Sequence, residues 1–416
     1  MLVSSLAIAN PRLPFGTLGA ELAIGTVFLL HIALVGFVLA ASGLAPFMEL
    51  AGLRRGGDPM CLRYARRLAH SVLYLYSLGA TWAVFAVVLL TGLYGRLVGT
   101  LLNQLLLPLT IAFASFFVGI PLLLIYVYGW DRLGAKLHLA VGFLFAIFQY
   151  AFLFLIVQLD SYALNPGSAV ASPWSPSYPW LLLHYAGANL SWGALLLAAI
   201  AIWRGRRARN PAEVTYQRWA ARVNFAIGSV FLLAQPVTGF ILAESIKNSA
   251  IPVYDNLFVL NSASLFIGQV VLLAVVVLGA NLVFWRHHEG AGGGSLTVIA
   301  LLGMAGAVLP AGIIPSSVVA LRYVALLIAF LATAANLVLY IRSLRRRGTD
   351  LQIPPVAGRA IALVGVCALA LSLYMGVIKE NAKLPCGIDA AKGQPGCLLS
   401  LHQSAQNFTI PPSYQP

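Results

Sequence analysis

Histidine is the residue type in this 416-residue chain best able to do chemistry, and there are seven: His31, His70, His138, His184, His287, His288 and His402. His31, in FLLHIALVG, and His184, in WLLLHYAGANLSWG, stand inside apolar runs among Gly, Ala and Ser. A neutral imidazole in such a setting is a ligand for haem iron, and small neighbours leave room for a macrocycle between helices. The alternative is a ring hydrogen-bonded to an adjacent helix. His70 and His138 open two further apolar runs, His287 and His288 fall in a short loop, and His402 lies in the C-terminal tail, where it could take a metal ion. Carboxylates are almost absent from the runs: Glu21, Glu49 and Glu244 sit at their edges. A proton-driven carrier places an acid near the membrane midplane, so this distribution argues against a transporter. No phosphate-binding loop is present either.

The elements that must position these residues follow from composition. The chain is 60% hydrophobic and only 9% charged, and its apolar runs exceed the ~18 residues that mark a membrane span. They are continuous rather than alternating, which excludes a β-barrel. The expected fold is an all-α polytopic membrane protein of about ten transmembrane helices, roughly 20–44, 70–95, 104–128, 135–159, 179–203, 222–243, 257–285, 297–314, 319–342 and 359–378. The eighth is interrupted by Pro310 and Pro315.

The net charge of +14 points to the lipid bilayer and not to nucleic acid, because its arginines cluster in short loops. Arg54, Arg55, Arg63, Arg66 and Arg67 follow the first span, Arg204, Arg206, Arg207 and Arg209 the fifth, Arg286 the seventh, and Arg342, Arg345, Arg346 and Arg347 the ninth. With ten spans all of these fall on one side, which the positive-inside rule makes cytoplasmic. Both termini are then external, and the expected location is a prokaryotic cytoplasmic (inner) membrane with the C-terminal tail on the periplasmic side. The loop SYALNPGSAVASPWSPSYPW carries no Lys or Arg and suits the opposite interface. Cys386 and Cys397 share the external tail and are a reasonable disulfide in an oxidising compartment, the alternative being two free thiols. No CxxCH occurs, so covalent c-type haem attachment is not expected.

One stretch stands apart. GWDRLGAKLH, Gly129 to His138, puts Trp, Asp, Arg, Lys and His in ten positions after a long apolar run. Pairing of Asp131 with Arg132, or capping of the next helix by Asp131, would fix a turn there, with Trp130 as interfacial anchor. The stretch closely resembles the connection between the third and fourth spans of subunit I of cytochrome bd-type quinol oxidases. The resemblance extends to LNPG (Leu164 to Gly167), to the span-one His31 followed by Glu49, to the His184–Gly193 helix, to ALRYV (Ala320 to Val324) and to GVIKENAKLP (Gly376 to Pro385).

This resemblance implies haem b, one or more, in preference to haem d. It makes His31 and His184 ligands of haem iron and retains an arginine as Arg322; His138 could touch a haem edge or propionate, and His70 is a further cofactor-binding candidate. The family's second ligand, a Met, is replaced by Val324, and Met375 is a candidate substitute. Glutamates expected near Ile111, Gly119 and Leu373 are missing, and the long loop that binds quinol after the sixth span is reduced to AESIKNSAIPVYDN.

The chain therefore looks like a divergent branch lacking the quinol loop. Its expected parts are a haem-binding bundle in residues 1–243, two additional spans in 244–318, family-like spans in 319–378 and an external tail in 379–416. The implied role is an electron-transfer subunit of a respiratory complex with other membrane subunits, its donor a periplasmic c-type cytochrome. A genuine terminal oxidase subunit and a haem-poor structural paralogue are the competing readings.

Overall fold

In hydrocarbon a backbone must satisfy its own polar groups, and a continuous apolar run can do so only as a helix. The computed structural model describes residues 16–93, 95–164, 175–249, 251–258, 263–287, 291–308, 321–347 and 352–382. Among them are eleven helices: α1 (Gly16–Arg54), α2 (Pro59–Leu93), α3 (Gly95–Tyr128), α4 (Ala135–Leu164), α5 (Tyr178–Arg207), α6 (Pro211–Ser249), α7 (Ile251–Phe258), α8 (Ala263–His287), α9 (Ala291–Val308), α10 (Leu321–Arg347) and α11 (Pro355–Ala382). Nine are long and apolar enough to cross a membrane, and α9 supplies a tenth, shorter apolar helix. At ~1.5 Å per residue its 18 residues reach about 27 Å, close to a ~30 Å hydrocarbon core. The chain is a multi-pass all-α membrane protein.

Several boundaries differ from expectation. The arginine-rich segments are helical rather than loop, except at Arg55 and Arg209. Gly56 and Gly57 adopt positive φ of 71° and 90°, closing α1, and Asp58 accepts the Met60 amide at 2.9 Å while Pro59 opens α2. Asn210 does the same for α6 through the Ala212 amide at 2.9 Å, ahead of Pro211. An N-cap side chain followed by proline at the first helical position starts a helix abruptly. Arg63, Arg66 and Arg67 thereby become part of α2. The eighth span starts earlier than expected, at Ala291, and its Gly294 backbone lies against the Trp285 side chain. Pro310 and Pro315 lie outside the described residues, as do Cys386, Cys397, His288 and His402.

α1 pairs with α2, α3 with α4, α5 with α6 and α9 with α10, while α11 runs between α5 and α8. α5 is the most buried of the spans. Small residues make this possible: a Cβ on Gly365 of α11 would fall 2.6 Å from the Ala199 methyl of α5. In a bilayer, close backbone approach and interhelical hydrogen bonds replace the hydrophobic drive. α8, α9 and α10 use the second device. Asn281 donates to Thr333 (2.9 Å), and Asn336 donates to Asn281 (3.1 Å) and Thr297 (3.0 Å), all in the interior.

At one end the arginines tie hairpins together. Arg63 and Arg67 of α2 pair with Glu213 of α6, the latter at 2.8 Å, and lie over the Tyr216 ring. Arg66 pairs with Asp131 at 2.7 Å. Asp131 thus bonds across to α2, and not to Arg132 or the start of α4. The first, third and fifth connections therefore share one end, the first and fifth as their arginine count implied. The end of α11 returns beside α1, with Gly376 against Leu29.

Candidate functional site

α1 and α5 run in the same direction and touch at Gly36 with Asn189 and at Ala40 with Gly193. Both contacts have an offset of 153 residues, and the same offset carries His31 onto His184. The two histidines therefore lie at one depth, in the half of the bundle away from the arginines. Both rings are partly buried. His31 Nδ1 lies 3.1 Å from the Gly79 carbonyl oxygen of α2. That oxygen can only accept, so Nδ1 carries the proton and Nε2 presents its lone pair. His184 Nδ1 lies 3.1 Å from Thr238 Oγ1 of α6, whose own hydroxyl donates to the Ala234 carbonyl at 3.2 Å. Thr238 then accepts from Nδ1, and His184 is held in the same tautomer. Fixing one ring nitrogen by a carbonyl or hydroxyl is how proteins orient an imidazole for iron.

The rings face different neighbours, His31 towards α2 and His184 towards α6. Gly239 lies opposite the His184 ring, where a Cβ would stand 3.2 Å from Cε1. Met375 joins this level, since the next residue, Gly376, meets Leu29 two positions from His31. Thr238 and Gly79 carried no signal in the sequence, because their roles depend on contacts 54 and 48 residues away.

His138 and His70 stand elsewhere. His138 is 2% exposed, with Nδ1 2.7 Å from Glu49 Oε1 and Nε2 2.9 Å from the Tyr126 carbonyl. Tyr126 donates its hydroxyl to Glu49 Oε2 at 2.9 Å, and the His138, Tyr126 and Trp130 rings pack against one another as a triad. Glu49 follows His31 by eighteen residues on α1, about 27 Å along the axis, so this cluster sits near the opposite membrane surface. His70 is at that end too, with Nδ1 2.8 Å from the Arg66 carbonyl of its own helix.

The family described as Cytochrome bd terminal oxidase subunit I matches residues 20–250, more than half of the chain. The chain belongs to this family. The structure of bd oxidase from Geobacillus thermodenitrificans is similar to it, with a TM-score of 0.55 at 15% identity, over 90% of this chain and 98% of that one. At that identity the likeness is one of fold. No curated protein matches the chain.

Within the cytochrome bd subunit I frame, the departures have distinct surroundings. Gly119, where a glutamate is expected, faces the Gln149 amide and the Tyr76 hydroxyl. Ile111 is 46% exposed and Val324 50% exposed, both turned outwards. Arg322 is the second residue of α10; its side chain lies outside the described ones. Among the described residues no three His, Cys, Asp or Glu converge as a ligand set for a bare metal ion. A haem brings its equatorial nitrogens with it and needs only one or two axial side chains, so a haem site needs no such cluster.

Proposed function

We propose that this bd-related membrane subunit carries haem b and passes electrons within a respiratory complex. The observation that carries the reading is the equal depth of His31 and His184, each with Nδ1 tied and Nε2 left for iron. Because the rings face different helices, they serve two separate haem groups rather than opposite faces of one. A bound haem b supplies a one-electron redox centre. The chain's own part is to hold each iron through Nε2, to fix each ring through Gly79 and Thr238, and to keep water away with the surrounding apolar residues. Met375, at the level of His31, is a second axial ligand, and Arg322 is the arginine retained for the cofactor.

The arginine-rich end lies in the cytoplasm of a prokaryotic cell, which puts both histidines in the periplasmic half. In this reading the donor is one other than quinol, because only 13 residues separate α6 from α8, and among the described ones they carry the short α7. A periplasmic c-type cytochrome docking near the C-terminal tail fits better. As in bd oxidase, further membrane subunits complete the assembly.

Pyridine haemochrome analysis of the purified protein tests this. We expect a haem b signal that falls by one equivalent in His31→Ala and by one in His184→Ala. Undiminished haem in the double variant defeats the proposal. The second reading, a catalytic oxygen reductase, is favoured by family membership alone. The neutral surroundings of Gly119 oppose it, and rapid quinol-driven oxygen uptake by the purified complex would establish it.

A further inference from the structure

The arginine-rich end contains more positive charge than its carboxylates absorb. Where α2, α5 and α6 converge there is a cavity of about 660 Å³, within the ~300–1,000 Å³ usual for ligand sites. Arg66, Arg67, His70, Arg204, Arg207 and Trp203 line it, and Glu213 is its one carboxylate. Glu213 is already bound by Arg63 and Arg67, and Arg66 is turned to Asp131. Arg204 and Arg207 have no carboxylate partner among the described residues. Arg207 lies over the Trp203 ring, 4.2 Å from its centroid, and Trp203 is 53% exposed.

The cavity's depth and walls indicate what fills it. It lies level with the α3–α4 turn, through the Arg66–Asp131 bond, and so at the headgroup layer. A tryptophan stacked by arginine is at home there. A smaller hollow of about 50 Å³ leads on from Arg67, Ser71 and Arg204 to the apolar Leu197 and Ile200. On α2, Tyr74 and Leu78 continue the His70 row one and two turns deeper and are 72% and 47% exposed. A charged mouth above an apolar wall matches an anionic headgroup with an acyl chain below it, and basic pockets between spans at the cytoplasmic side bind such lipids.

We propose that this cavity is a binding site for the phosphate of an anionic phospholipid, held by Arg204 and by Arg207, whose guanidinium is steadied on the Trp203 ring. The site is independent of the haem assignment and lies in the opposite half of the bundle.

Native mass spectrometry of the detergent-purified full chain tests it, with phosphatidylglycerol, phosphatidylcholine and inorganic phosphate as probes. Phosphatidylglycerol should be retained in preference to phosphatidylcholine, and millimolar phosphate should not displace it. Each basic group near the surface is worth about a fivefold change in affinity, so the Arg204→Gln/Arg207→Gln double variant should bind roughly thirtyfold more weakly. Arg345→Gln/Arg346→Gln, which removes equal charge from the exposed end of α10, should bind as the wild type does. Equal retention of phosphatidylglycerol by both double variants overturns the site, as does equal retention of the two lipids. Displacement by phosphate overturns the lipid and leaves a small-anion pocket. Should the Arg204/Arg207 variant fail to accumulate, a headgroup-diazirine phosphatidylglycerol decides on the wild-type chain. Crosslinks within residues 66–71 or 203–208 support the site, and labelling scattered over the apolar faces refutes it.

Discussion

Replacing Glu49 by leucine tests whether the cluster at the arginine-rich end holds the helices together. The substitution leaves two buried donors without an acceptor: the Tyr126 hydroxyl, 2.9 Å from Glu49 Oε2, and His138 Nδ1, 2.7 Å from Oε1. Each unsatisfied buried group costs about 1–3 kcal/mol. Two of them give about 2–6 kcal/mol, which brackets the ~3–5 kcal/mol for breaking a buried charged pair. Glu49→Gln keeps one oxygen acceptor at nearly the same volume, so it should cost about half as much. Reversible unfolding in mixed dodecyl sulfate micelles, followed by circular dichroism, measures both. The expected order is wild type, then Glu49→Gln, then Glu49→Leu. A leucine variant within about 0.5 kcal/mol of wild type, the usual effect of an uninvolved surface change, would refute the reasoning. So would a folded Glu49→Leu protein that had lost its haem, since His31 lies about 27 Å away along α1.

Other outcomes follow from the same geometry. Asp131→Asn should cost under about 1 kcal/mol in the same assay, because its pair with Arg66 is solvent-exposed, while Trp130→Ala should cost about 3–5 kcal/mol through lost packing. Thr238→Val removes the group that orients His184. It should keep haem bound but broaden or shift one α band in reduced spectra at low temperature, and an unchanged spectrum argues against that ring as a ligand. Gly365→Leu would drive its side chain into Ala199 and Leu195 of α5, and should abolish accumulation of folded protein in membranes, scored by fluorescence-detected size exclusion. Deleting 386–416 should leave the haem spectrum intact and slow reduction by a c-type cytochrome; reduction at the wild-type rate removes the tail from the docking surface.

The spans were legible because twenty consecutive apolar residues have almost no alternative to a membrane helix. The common side of the arginines was legible from counting. The helical nature of the arginine-rich segments was less visible, since Asp58-Pro59 and Asn210-Pro211 read equally as turns until their side chains are seen to cap. His31 and His184 stood out as polar residues in apolar runs, and their common depth could be found only from the α1–α5 register. GWDRLGAKLH was marked correctly as a structural turn with the wrong partner: spacing favours local bonds, whereas Asp131 reaches back 65 residues to Arg66 and His138 reaches 89 to Glu49. The Asn281–Asn336 network left no trace, because single amides in apolar helices have no periodicity to betray them.

The distance between the Glu49–His138 cluster and His31 has an evolutionary consequence. One leaflet's worth of protein keeps the helices in register, and the other leaflet's worth carries the candidate ligands. A change at a candidate-ligand position then leaves the anchoring cluster intact, so such positions can be lost, moved or traded without the lineage passing through an unfoldable intermediate.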